Sequence, residues 1–323
     1  MSLRSLSWRH RIAMRSSQPV IGKMLVLVPV FAAGLASTAR AQSMDDAIFM
    51  DKRVLCAGLV YARDQWTEYW EGSLKRNNGN IGTLTTNQLT SMGAYGVTKR
   101  VNIMASLPFV QTRASHGVLR GQSGSQDLSV GIKVNALSTP LTSIGTLHVV
   151  GVLSATVPTT NYTPDFYPMS IGSHARRATA RGIYSFQSHR GLYVNGSASY
   201  TRRGNVTLDR PAYYTNGQLF LTDEVLMPDV QDASLTIGYQ RRGLVVPIVV
   251  TRQKTLGGGD IRRQDMPFVS NRMDFTRVDG RVQYQLPVLR AVTLHFGASH
   301  VLTGRNVGQT TSFMGGLLLA GKL

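Results

Sequence analysis

The chain of 323 residues carries 35 Lys and Arg against 17 Asp and Glu, a formal net charge of +18, and one cysteine. A single cysteine excludes an internal disulfide, so packing and hydrogen bonds alone must hold the fold. The basic excess does not read as nucleic-acid binding, which needs Lys and Arg clustered on one element with interleaved aromatics; here Arg176-Arg177, Arg202-Arg203, Arg241-Arg242 and Arg262-Arg263 are scattered at strand ends and in loops.

The N-terminal stretch sets the compartment. Arg4, Arg9, Arg11, Arg15 and Lys23 precede an apolar run, Met24 to Ala36, broken only by Pro29 and Gly34 and followed by Ala39-Arg40-Ala41. This pattern predicts a secretory signal peptide over residues 1–41, cleaved after Ala41. The run falls short of the roughly 20 apolar residues a transmembrane helix needs. The leader holds six of the 35 basic residues and no acidic one, leaving 29 against 17, a net of +12. Residues 42–52 lack periodicity and read as a short periplasmic tail, with a barrel expected over 53–323.

From Val54 the chain is strand-like, with Tyr61, Trp66, Tyr69 and Trp70 gathered near its far end, as an interfacial girdle or as a cap on a core. A polar loop, 75–82, separates it from Leu89 to Val97 and the tight turn Thr98-Lys99-Arg100. From Val101 to Phe109 the odd positions are apolar (Val101, Ile103, Ala105, Leu107, Phe109), while Asn102, Ser106 and Pro108 face the other way, an alternation blurred by Met104 and Val110. After the loop Ser115 to Ser125 the alternation returns, with Leu128, Val130, Ile132, Val134 and Ala136 opposite Asp127, Ser129, Gly131, Lys133 and Asn135. Period two is the signature of a strand with one apolar face. The turn expected at Ser138-Thr139-Pro140 leads to a strand over residues 147–157 and a long Pro- and Tyr-rich loop, 159–177. Two strands flank Ser188-His189-Arg190-Gly191. A second long loop, 205–228, precedes strands on either side of Arg241-Arg242-Gly243, and loop 257–270 precedes strands on either side of Leu286-Pro287. A last strand runs from Thr311.

Twelve strand segments result, with tight turns near 99, 140, 190, 242 and 287 alternating with longer loops. An all-β, antiparallel transmembrane barrel sorts its connections this way, short turns in the periplasm and longer loops outside; a Greek-key sandwich has no reason to. A charge facing lipid at mid-membrane costs roughly 2–4 kcal/mol, and Asp127, Lys133, Asp279 and Arg281 all fall on the polar phase. The expected location is the bacterial outer membrane.

Three segments also resemble a known family: Tyr95-Gly96-Val97-Thr98-Lys99-Arg100-Val101-Asn102, Leu107-Pro108-Phe109-Val110, and Gly124-Ser125-Gln126-Asp127-Leu128-Ser129-Val130-Gly131-Ile132-Lys133. They are similar to the repeated phrases of outer-membrane barrels associated with the meta-pathway of phenol degradation. Lys99 stands where that family has Asp, and the final residue is Leu323 where it has an aromatic. The resemblance covers about 45 residues and implies a barrel that transports hydrophobic or aromatic compounds.

The sequence therefore predicts passive passage of small solutes, with Asp127, Lys133, Arg277, Asp279, Arg281 and His295 lining the lumen and setting its selectivity. Twelve strands leave a narrow bore, easily filled by a loop or by the N-terminal tail. Expected partners are outer-membrane lipids and lipopolysaccharide, a small-molecule solute and the barrel assembly machinery, with no nucleic acid, metal or cofactor. A structural or adhesive barrel displaying loops 159–177 and 205–228 is the alternative, and a barrel hydrolase a lesser one. His295 and His300 stand on opposite faces of a strand and cannot chelate together. Gly316 to Lys322 mimics a phosphate loop, but no Ser or Thr follows the Lys.

Overall fold

Alternation with one apolar phase produces strands that must hide backbone on both edges, and closing the sheet achieves this without leaving an edge. The computed structural model describes residues 42–141, 143–215, 217–262 and 269–323; the expected leader, 1–41, lies outside them. Twelve strands form the wall: β1 Val54–Trp66, β2 Leu84–Gly96, β3 Val101–Ala114, β4 Asp127–Leu141, β5 Gly145–Pro158, β6 Arg177–Ser188, β7 Leu192–Arg203, β8 Asp229–Arg241, β9 Leu244–Leu256, β10 Asp274–Gln285, β11 Val292–Arg305 and β12 Thr311–Lys322. Each pairs antiparallel with its neighbours, and β12 closes on β1 from Val54 opposite Lys322 to Gln65 opposite Thr311. At about 3.3 Å per residue and a tilt near 40°, strands of this length cross the roughly 30 Å hydrocarbon layer and project beyond it.

The outer face is apolar. Ile103, Phe109, Ile132, Leu153, Tyr184, Ile237, Ile248, Phe296 and Phe313 all point away from the bore and are exposed. The opposite phase supplies Asn102, Asp127, Lys133, Ser185, Asn195, Thr236, Asp279 and Thr293, all buried. This is the reverse of a soluble protein, and lipid is the solvent that makes it favourable.

Several boundaries differ from the sequence reading. Strand β4 runs through Pro140 to Leu141, because a bulge between Asn135 and Leu137 resets the register and carries the hairpin past the expected turn. Met104 and Val110, which broke the alternation, point inward and are buried against other inward segments. Trp70 is buried rather than lipid-facing. Trp66 and Trp70 belong to a cap around the short hairpin Glu68–Glu71/Leu74–Asn77, where they lie against Gly308 and Gly304 so closely that a Cβ there would stand 2.5 Å from either ring. The connection 306–310 is as short as the turns at the opposite end, since it packs under that hairpin through the Trp70 N–H to Val307 carbonyl bond of 2.9 Å.

Candidate functional site

Two segments enter the bore. At the turn end, residues 42–51 fold back into the lumen ahead of β1. The tail is shaped by Asp46, whose carboxylate accepts from the Ser43 N–H at 2.6 Å and the Ile48 N–H at 2.8 Å. Met50 fills a cluster with Val54, Cys56, Ala94, Met104, Leu318 and Ala320 from β1, β2, β3 and β12. The Asn102 amide oxygen accepts from the Met50 N–H at 2.7 Å. Lys133, 0 % exposed, donates to the Ser43 carbonyl at 2.8 Å and to Asp46 Oδ1 at 2.7 Å, and lies 5.2 Å from the centre of the Phe49 ring. Arg181 on β6 reaches Asp45 at 3.1 Å. Gly131 admits the tail: a Cβ there would lie 2.9 Å from Met44 Cε.

At the loop end, segment 159–176 dips into the mouth. Its Met169 carbonyl accepts from Thr112 Oγ1 at 2.5 Å and its Ile171 carbonyl from Gln126 Nε2 at 2.5 Å. Ile171 and Tyr162 pack on Val110. Asp127 accepts from the Tyr162 hydroxyl at 2.6 Å and pairs with Arg177 at 3.1 Å. Burial, reinforced by that carboxylate, pushes the Tyr162 phenol above its ordinary range, which keeps it a donor.

Between these segments polar chambers line the wall from β6 to β10. A chamber of about 410 Å³ near the mouth is lined by Arg177, Arg203, Asp232 and Gln253. It shares Asp232 and Gln253 with a middle chamber of about 230 Å³, lined by Arg181, Arg277, Arg281 and Asn195 together with Asp45 and Asp46 of the tail. A third, of about 160 Å³, shares Asp46, Ile48, Tyr193 and Asn195 and reaches His148 and Gln240 toward the turns. The three form a series along one side of the bore.

The six residues singled out from sequence are distributed through this arrangement. Arg277, Asp279 and Arg281 sit together on β10, with Arg277 donating to Asp279 at 3.0 Å and Arg281 at 3.9 Å from it. His295 is buried on the neighbouring strand, opposite Gln283. Asp127 opens β4 and serves the mouth, while Lys133, near the middle of the same strand, serves the tail. Sequence reasoning missed Arg177, Arg181, Arg203 and Asp232 in the wall and Asp45 and Asp46 in the tail. The wall arginines had a signal: Arg177, Thr179, Arg181, Ser185 and Gln187 share one phase of β6. Among the described residues, no group of three or more His, Cys, Asp or Glu is placed to hold a metal.

No protein-family model and no curated protein matches the chain. Among solved structures, an outer-membrane channel from Pseudomonas putida F1 superposes with a TM-score of 0.69 at 14% identity, over 87% of this chain and 100% of that one. The TodX monoaromatic hydrocarbon channel (TM-score 0.42, 10% identity, 85% and 91% covered) and the transport unit of the autotransporter AIDA-I from Escherichia coli (TM-score 0.44, 10% identity, 86% and 93% covered) are too distant to carry an argument. The likeness to the first is one of fold. A closed twelve-stranded barrel with an apolar outer band and a polar, charged bore is the architecture of a bacterial outer-membrane protein.

Proposed function

We propose that the protein is a narrow, passive outer-membrane channel for small solutes. The observation that carries this reading is the series of polar chambers along β6 to β10, which lies beside both inward segments where a merely structural barrel would pack its core shut. In this reading Asp127, Lys133, Arg277, Asp279, Arg281 and His295 shape the bore and its selectivity, the outer belt meets lipid and lipopolysaccharide, and insertion runs through the barrel assembly machinery. Arg, Asp, Ser and Thr along the passage favour a solute that bears a charge or polar group. An aromatic ring carrying such a group suits both this lining and the sequence resemblance; a bare hydrocarbon suits the lining poorly.

Planar-bilayer recording of the refolded protein tests the reading. Discrete single-channel steps are expected, with ion preference displaced toward cations by Arg281→Glu. Correctly folded protein that gives neither steps nor liposome swelling would refute it. Display by loops is favoured by one observation, the exposed Leu219, Leu221 and Leu226 in segment 205–228, whereas segment 159–176 turns inward. Adhesion without flux is the outcome that reading requires.

A further inference from the structure

Lys133 is fully buried, yet its ionic and hydrogen-bonding partners come from the tail, not the wall. Across the sheet it faces Asn102 on β3 and Val152 on β5, and Val152 in turn faces Arg181 on β6. Two cations thus flank an apolar position in one row of the sheet. Val150, Val152 and Ile183 form a buried patch beside them, and the side chains packed on this patch are Met44, Ala47 and Phe49 of the tail. The wall therefore presents two positive groups next to a dry apolar surface, and the tail answers with two carboxylates, Asp45 and Asp46, and an aromatic ring.

Asp46 neutralises Lys133 where the tail buries it, and a solute that displaced the tail and covered the row again would have to bring an anion of its own, because a buried cation without a counter-charge is strongly disfavoured. The middle chamber opens onto this place: Arg181, Asp45 and Asp46 line it, and Phe49 with Ala47 lines the chamber below. A solute moving along the passage reaches the edge of the tail's own contacts.

We propose that Lys133, Arg181 and the patch of Val150, Val152 and Ile183 form a binding site for a small carboxylate with a flat apolar body, and that Asp45, Asp46 and Phe49 occupy it as a tethered competitor. The carboxylate replaces the aspartates on the two cations, the apolar body replaces Phe49, and the tail is released. Binding of such an acid thereby widens the bore. That last consequence rests on the channel reading; the binding itself does not.

The test uses the folded full-length mature chain, with sodium benzoate as the probe and ionic strength held constant, because these ion pairs weaken with salt. Calorimetry should show saturable benzoate binding that is several-fold tighter in the Asp45→Asn/Asp46→Asn double variant, where the competing charges are gone, and lost in Lys133→Gln. Arg181→Gln is the second variant should the buried Lys133 change prevent folding, which heat-modifiable electrophoretic mobility reports. Equal affinity in wild type and the double variant overturns the competition. Benzylamine or inorganic phosphate binding as well as benzoate overturns the assigned ligand class. Benzoate should also increase open probability in bilayers. Competitive binding without any conductance steps defeats the channel reading alone, and steps without benzoate binding defeat this inference alone.

Discussion

The mouth segment 159–176 is tied at both ends, to β5 and β6, and enters the bore on apolar side chains and its own backbone carbonyls. Among the described residues the tail joins the wall through β1, and it enters on both charges and apolar side chains: Asp45 and Asp46 pair with Arg181 and Lys133, Met44, Ala47 and Phe49 pack on the wall, and Met50 anchors it next to β1. Met169 and Ile171 are almost wholly buried, and withdrawing them would expose apolar surface worth roughly 1.5–3 kcal/mol per side chain. Withdrawing Ser43 to Phe49 uncovers the patch under Met44, Ala47 and Phe49 and also exchanges ion pairs for others with water or solute, so part of its hold depends on salt. The comparison teaches that a segment held in part by ion pairs is the one a charged solute can compete with, while one held by apolar packing and closed at both ends serves as fixed architecture.

The largest expected effect comes from removing the mobile part. A chain produced from Met50 onward keeps Met50 and its cluster, so the barrel should still close, and its unit conductance should rise several-fold in planar bilayers over that of the chain produced from Gln42. Equal conductance would mean that the tail does not obstruct the passage and would erase the distinction between the two segments.

A change at the mouth should act on stability instead. Asp127→Ala deprives both the Tyr162 hydroxyl and Arg177 of their acceptor, and leaving such groups unpaired costs about 1–3 kcal/mol. Urea titration of the heat-modifiable band should register that loss, whereas conductance should change far less than on tail deletion. Asp127→Asn, which retains an acceptor for Tyr162, should recover part of the stability. A channel widened more by Asp127→Ala than by the deletion would invert the comparison.

The same contrast explains what was legible in the sequence. Wall strands write their environment into every second residue, so β3 and β4 could be read from Ile103, Phe109, Ile132 and Lys133 alone. Met104 and Val110 blur that pattern, and Val150 and Val152, which the sequence reading passed over, depart from it in the same way, because the tail and the mouth segment that cover them have no period of their own. Inward apolar residues in an otherwise polar phase were the available sign that something apolar enters the bore. Arg177 and Arg203 sit at strand ends, where a basic pair reads equally well as a solvated rim, and only the closure of the sheet turns them inward. Asp45 and Asp46 gave no local cue, since their partners Arg181 and Lys133 are far away in the chain and meet them only through the fold.

A smaller perturbation of the tail separates steric fit from charge. Gly131→Leu places a side chain where Met44 now packs, without touching Lys133, Asp45 or Asp46. The tail should be displaced part of the time, giving a conductance increase below that of the deletion and greater flicker. A variant indistinguishable from wild type would show that the tail adjusts around Gly131 and that charge alone sets its position.

The smallest effect is expected outside the bore, in the cap beside Trp66 and Trp70. Asp260 pairs with Arg305 at 2.5 Å and accepts from the Asn306 amide at 2.8 Å. Arg305 above all, and then Asn306, hold its carboxyl below the ordinary carboxylate range. A lowered folded value means that this stabilisation is complete above the unfolded value of about 3.9 and fades as pH falls through the lower folded one. Asp260 is partly exposed, so solvent screens the pair and the change stays small. In protein produced from Gln42 onward, Trp66 and Trp70 are the tryptophans. Fluorescence should therefore stay constant down to about pH 4 and shift below it, with the shift abolished in Asp260→Asn. A transition centred above that pH, or one that survives the substitution, would place the titrating group elsewhere and leave the cap as rigid as the wall.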